Sequence, residues 1–371
     1  MTQSARCRFP LVTALLEQAV RDRVFPGCAF AFLAAVDAQP SEENVHAVGH
    51  FTYEPDAPRV LPETIFDLAS LTKVLATTAA MMLLHDRGQL ALDAPLADWL
   101  PAFASSHASD ARRPRVTLRM LLDHSSGLPG YARLFESAND RLAMIDACLR
   151  QPLTADPGMR AEYSDIGFMI LGYLIETITG ERLDSYCQRE IFAPLGMSTT
   201  HFCPPHRASI PPTEDDRSFR HRVIQGEVHD ENASVMGGVA GHAGLFSSAL
   251  DPLRIAACIL ARGVTASGRQ LFSAQTVALF AKPAPQPPAT SRALGWDTPT
   301  VPSSSGKLFS TRSIGHLGFT GTSLWIDLDA GIAVSLLTNR TWPDRSNQAI
   351  RELRPRFHDT LRGELAGDHK N

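Results

Sequence analysis

Apolar residues recur at helical spacing directly after Pro10, and the pattern predicts a helix over residues 10–23. An unbroken apolar run from Cys28 to Val36 follows and predicts a buried strand. Near the other end, Leu324 to Leu328 and Ile332 to Leu337 are short apolar runs joined by Asp329-Ala330-Gly331, which predicts a hairpin. Residues 345–363 read as a helix interrupted by Pro355. Between these ends the period changes to that of helices, over 72–86, 116–123, 139–150 and 166–179. Gly88 stops the first of them and Gly180 the last. Proline-rich stretches at 204–212 and 283–288 predict surface connections, because proline lacks the amide hydrogen that ladders and helices need. Strands at both ends with helices between predict an α/β unit with an inserted all-helical region.

Composition narrows the function classes. The chain has 371 residues, enough for one large or two closely joined domains with a sizeable core. It is 44% hydrophobic and 20% charged with a net charge of -4, and no block of like charge could track a phosphate backbone, which argues against nucleic acid as partner. Six cysteines (Cys7, Cys28, Cys148, Cys187, Cys203, Cys258) form no CxxC pair and no metal-spaced cluster, so they read as reduced packing residues. The first residues carry Glu17, Arg21 and Asp22 where a secretory signal needs an unbroken apolar region. The longest apolar helix-like run, Val74 to Leu84, falls short of the ~20 residues of a membrane span. The expectation is a cytoplasmic protein without a span; oligomeric state leaves no mark in the sequence.

Chemistry enters at Phe66-Asp67-Leu68-Ala69-Ser70-Leu71-Thr72-Lys73, which sets a serine and a lysine three residues apart where a helix begins. Residues i and i+3 share a helix face, so hydroxyl and amine can meet. A lysine can take a serine proton only if burial or nearby positive charge lowers its pKa, and the apolar VLATTAAMMLL that follows supplies burial. Alone, Ser-x-x-Lys also fits an ordinary helix start. Two further segments add weight. Glu162-Tyr163-Ser164-Asp165 puts a phenol on a loop just before a helix. Ile314-Gly315-His316-Leu317-Gly318-Phe319-Thr320-Gly321-Thr322 is glycine-rich and leads into an apolar strand, where glycine lets a substrate backbone approach.

Ser-x-x-Lys, Tyr-x-Asp and His-x-Gly in this order resemble the three motifs of the serine β-lactamase and penicillin-binding-protein superfamily, and most closely its class C-like branch. That branch also holds D-alanyl carboxypeptidases, D-aminopeptidases and esterases. Val116 to Leu128 and Gly237 to Ser247 resemble further family segments, so the likeness covers roughly residues 10–340. It implies a β-lactamase/transpeptidase-like α/β (α+β) fold: an antiparallel sheet flanked by helices (1–74 and 216–371), an inserted helical domain (75–215), and a cleft between them. It also implies Ser70 as nucleophile, Lys73 and Tyr163 as proton-transfer groups, and the backbone N–H groups of Ser70 and Phe319 as oxyanion hole. Asp165, His316, Gly318 and His242 would bind substrate, and no cofactor or metal is needed.

Two residues depart from the pattern. His316 stands where lysine is usual, which replaces a permanent cation by one that titrates near neutrality and disfavours carboxylate-bearing β-lactams. Asp165 stands where asparagine is usual and can pair with Lys73, raising its pKa. His124 reads as a helix-end residue favouring the dipole. His229-Asp230-Glu231-Asn232 with His242 matches no ligand spacing for a metal and reads better as cleft lining. Three functions remain: hydrolysis of a small ester, peptide or muropeptide-type amide, weak β-lactamase activity, or a non-catalytic penicillin-binding-like sensor.

Overall fold

A computed structural model describes residues 9–34, 40, 44–285, 287–288 and 290–368; Cys7 and the last two residues of the strand expected over 28–36 lie outside them. Ten strands are present among the described residues: β1 (Gly27–Leu33), β2 (Val45–Gly49), β3 (Phe66–Asp67), β4 (His201–Phe202), β5 (Glu214–Asp216), β6 (Arg222–Ile224), β7 (Leu245–Ser247), β8 (Ile314–Leu317), β9 (Ser323–Asp327) and β10 (Ile332–Thr338). The main sheet is antiparallel in the order β2-β1-β10-β9-β8, so both chain ends build it. The expected hairpin is β9 and β10.

The continuous apolar run of β1 follows from burial on both faces. Successive strand residues point to opposite faces. Ala29, Ala31 and Leu33 enter the larger core, which also holds the helix after Ser70. Cys28, Phe30 and Phe32 enter a second core beneath the terminal helices Pro10–Arg21 and Ile350–Asp368. Pro355 does not interrupt the last helix, contrary to the sequence expectation. It removes one amide donor near the helix start, while Leu353, Phe357, Leu361 and Leu365, one every four residues, form a buried ridge on the sheet.

The central helices form as the periodicity predicts, at Leu118–Leu122, Arg141–Leu149 and Asp165–Thr179, with side-chain caps from Thr117, Asp140 and Ser164. The helical run over 71–86 contains a π-helical segment, Lys73–Thr78. The middle region is not purely helical, since β4 pairs with β7, which pairs with β3, and β5 pairs with β6. Strands of two or three residues are too short to leave a periodic signal. No helix among the described residues is long and apolar enough to cross a membrane.

Candidate active site

Ser70 sits in the turn between β3 and the helical run. Asp67, buried at the end of β3, accepts the Ala69 N–H at 2.8 Å on one carboxylate oxygen and the His229 N–H at 2.7 Å on the other. These bonds hold Ala69 at φ +47°, a left-handed conformation that a residue with a Cβ rarely adopts. The turn presents Ser70 to a cleft of about 730 Å³ lined by residues from both cores' sides of the molecule.

Lys73 is fully buried, and its three N–H donors all find acceptors: Ser70 Oγ at 3.1 Å, Asp165 Oδ1 at 2.6 Å and the His242 carbonyl at 3.1 Å. Burial pushes the amine down, but the Asp165 carboxylate and Tyr163 outweigh it and hold the pKa above the ordinary lysine value. The lowering expected from burial is therefore overturned, because the residue that departs from the family pattern, Asp165, faces the amine. Lys73 rests as a cation in an ion pair.

Tyr163 immediately precedes the helix whose cap, Ser164, accepts the Gly167 N–H. Its ring faces Lys73, whose Nζ lies 4.9 Å from the ring centroid, and its pKa is raised by burial, opposed by Lys73. The ring lies 4.8 Å from His124 and 5.8 Å from His316, with the Arg292 guanidinium 5.4 Å from its centroid. His124 is buried with its Nδ1 accepting the Ser164 N–H at 3.0 Å. Burial, with Arg292, Lys73 and His316 nearby, pushes its pKa well below the ordinary value. It is a neutral wall behind Tyr163, which corrects its reading as a helix-end cation.

His316 is also corrected. It is 3% exposed, and burial plus the charges of Lys73 and Arg292 keep it neutral well below the usual histidine range. Its Nδ1–H donates to the Leu317 carbonyl at 2.8 Å, which leaves Nε2 as an unpartnered acceptor rather than a cation. The absence of solvent, not the identity of the residue, sets its charge.

The loop after β8 is clamped to the Ser70 turn. The Thr320 hydroxyl donates to the Asp67 carbonyl at 2.7 Å and the Thr322 hydroxyl to the Leu68 carbonyl at 2.9 Å. A Cβ on Gly318 would lie 1.9 Å from Thr322 Oγ1 and 2.5 Å from the Leu68 carbonyl, so this approach needs glycine. Phe319 follows, and among the described residues neither its backbone N–H nor that of Ser70 has a protein acceptor. His242 stands behind Lys73 with Nε2 2.9 Å from Asp230, whose carboxylate is disfavoured by burial but held well below its usual range by His242, the Ala233 N–H and Lys73. His229 is 2.9 Å from Glu214. No group of three or more His, Cys, Asp or Glu among the described residues is arranged to hold a metal.

The geometry thus brings Ser70, Tyr163, Asp165, His316, Gly318, Phe319 and His242 to one cleft, with Lys73 buried beneath it and bonded to Ser70 and Asp165. Sequence reasoning gave no role to Asp67, Thr320, Thr322 and Arg292, while Asp230 falls in the segment read as cleft lining and does line the cleft. The first three adjoin the motifs; Arg292 lies in a stretch with no periodic pattern. A hydroxyl, amine and carboxylate in one hydrogen-bonded chain, with a phenol facing the amine, can relay a proton, and two free N–H groups can hold an oxyanion.

Comparison with known proteins agrees. The family model described as Beta-lactamase matches residues 12–355. A protein of Escherichia coli (strain K12) named "Putative D-alanyl-D-alanine carboxypeptidase" is 34% identical over 304 residues, covering 75% of this chain and 69% of that protein. An N-acetylmuramyl-L-alanine amidase of Bacillus subtilis (strain 168) is also 34% identical over 304 residues, 75% of this chain and 68% of that one. The solved class C β-lactamase of Rhodobacter sphaeroides superposes with a TM-score of 0.71 at 20% identity, covering 95% of this chain and 99% of that one. The chain belongs to the Beta-lactamase family of serine hydrolases.

Proposed function

We propose that this enzyme cleaves a small ester, or a D-amino-acid or muropeptide-type amide, through an acyl-enzyme on Ser70. The observation that carries the reading is the continuous contact Ser70–Lys73–Asp165 at 3.1 and 2.6 Å, with the Tyr163 ring 4.9 Å from Lys73 Nζ in the same cleft.

In the resting site Lys73 carries the proton and cannot act as a base. Asp165 keeps 18% of its side chain exposed to the cleft, so a bound substrate covers it and strips its water. Desolvation favours a neutral amine and acid over an ion pair, and transfer of one proton across 2.6 Å converts one into the other. The freed amine takes the Ser70 proton as Oγ bonds to the substrate carbonyl carbon. The tetrahedral oxyanion is held by the N–H groups of Ser70 and Phe319. When the carbonyl re-forms and the C–O or C–N bond breaks, the Tyr163 O–H protonates the leaving group and is refilled from Lys73. Water repeats the sequence in reverse to release the acid.

The names of the E. coli and B. subtilis relatives support a peptidoglycan-derived amide. A β-lactamase reading is weaker because His316, standing where lysine is usual, is held neutral and supplies no charge at that position. The test is kcat/KM for p-nitrophenyl esters, D-Ala-D-Ala peptides, muropeptides and nitrocefin between pH 6 and 8. Turnover of an ester or muropeptide, with nitrocefin poorest and the ratio of anionic to neutral substrates flat with pH, supports the reading. Nitrocefin as best substrate, with its ratio rising toward pH 6, overturns it.

A further inference from the structure

The charged groups lining the cleft can be matched one against another. Asp165 is taken by Lys73, Asp230 by His242, Glu231 by Arg345, and Asp297 lies 3.6 Å from Arg292. Arg345 also holds Glu214, and Arg133 pairs with Glu136. Three arginines of the same cleft, Arg340, Arg351 and Arg354, have no carboxylate partner among the described residues.

Their geometry is built rather than accidental. Arg340 is 3% exposed, donates Nε to the Phe319 carbonyl at 2.7 Å and Nη1 to the carbonyls of Arg345 and Asn347, and stacks 4.3 Å over the Phe319 ring. Arg354 is 6% exposed and donates Nη2 to the carbonyls of Gly318 and Thr322 at 2.7 and 3.0 Å. Arg340 Nη2, Arg354 Nη1 and the whole exposed Arg351 guanidinium are left without an acceptor among the described residues, and the Arg354 Nε is buried and unpartnered. Burial, together with the neighbouring arginines, lowers the pKa of Arg354 to about 9 and of Arg340 to about 10. Three like charges close enough to act on one another, two of them buried, oppose folding unless a ligand neutralises them.

We infer that Arg340, Arg351 and Arg354 form a phosphate subsite beside the Phe319 loop, so that the substrate of the Ser70 cleft carries a phosphate group. A carboxylate brings one charge and two oxygens. A phosphate monoester brings close to two charges and three terminal oxygens, which suits three planar guanidinium forks better. The inference rests on this cleft being the substrate cleft of the proposed hydrolase. It adds that the alcohol, amine or acyl part of the substrate is phosphorylated.

Isothermal titration with inorganic phosphate and phenyl phosphate, against acetate and succinate, tests it. Both phosphates should bind wild type and Ser70→Ala alike, and acetate and succinate at least tenfold more weakly. Arg351→Ala should weaken phosphate binding about tenfold, the ~1.4 kcal/mol of one charge-assisted contact. In phosphate-free buffer that variant should melt no lower than wild type, because its side chain is exposed and its removal relieves repulsion. Absence of phosphate binding, succinate binding as tightly as phosphate, or undiminished binding in Arg351→Ala would each overturn the subsite. Loss of hydrolysis in Ser70→Ala with phosphate binding kept separates this inference from the catalytic one.

Discussion

At the scale of single residues, charge at the site is set by partners brought from far along the chain: Asp165 is 92 positions from Lys73, and the His242 carbonyl 169. Motif spacing therefore singles out Ser70, Lys73 and Tyr163 as candidates without showing the cationic state of Lys73 or the neutral state of His316. The relay makes a direct prediction. Members of one proton-transfer unit are strongly non-additive, so Lys73→Ala combined with Tyr163→Phe should lower kcat/KM little more than the worse single change. Multiplicative losses would break the unit apart. Lys73→Arg should be nearly inactive, because guanidinium holds its proton at working pH even though it can keep the Asp165 ion pair.

At the scale of elements, long periodic segments were readable and short or clamped ones were not. The helix Asp165–Thr179 and the β9–β10 hairpin follow from period and turn chemistry. Strands β3, β4 and β7 have two or three residues each and exist because the Ser70 turn must be tied to the rest of the fold. Pro355 sits inside a helix because a buried leucine and phenylalanine ridge outweighs one lost hydrogen bond. The clamp between the Ser70 turn and the loop after β8 is where an element-scale change should be felt in the chemistry. A methyl group at Gly318 must push aside Thr322 Oγ1 and the Leu68 carbonyl, which moves the Phe319 N–H. Gly318→Ala should therefore lower kcat by ~10²–10³, the effect of losing one oxyanion donor, with KM changed far less. Equal kcat in the variant would remove Phe319 from the oxyanion hole.

At the scale of the whole molecule, the family resemblance carried by three motifs extends to nearly the entire chain, and the sheet built from both ends is the one the hydrophobic pattern anticipates. The pH dependence of stability belongs to this scale. His124, His316 and His358 are buried and neutral, with pKa values pushed below the ordinary 6.5, that of His358 to about 3. Below pH ~6.5 the unfolded chain takes up protons that the folded chain refuses, so stability is complete above that pH and falls as pH drops toward 3. For His358 the loss is about 2 kcal/mol by pH 5. Thermal unfolding should show a steep fall between pH 6.5 and 5, reduced in His358→Phe. A His358→Phe variant with the same pH dependence as wild type would mean that this imidazole is not held neutral.

The central claim, that Ser70 is the nucleophile of an acyl-enzyme, is tested most directly by intact-mass and peptide mapping after treatment with a fluorophosphonate. One adduct on the peptide containing Ser70, absent from Ser70→Ala and slowed in Lys73→Ala, is the predicted result. An adduct that persists in Ser70→Ala would place the nucleophile elsewhere and contradict the account.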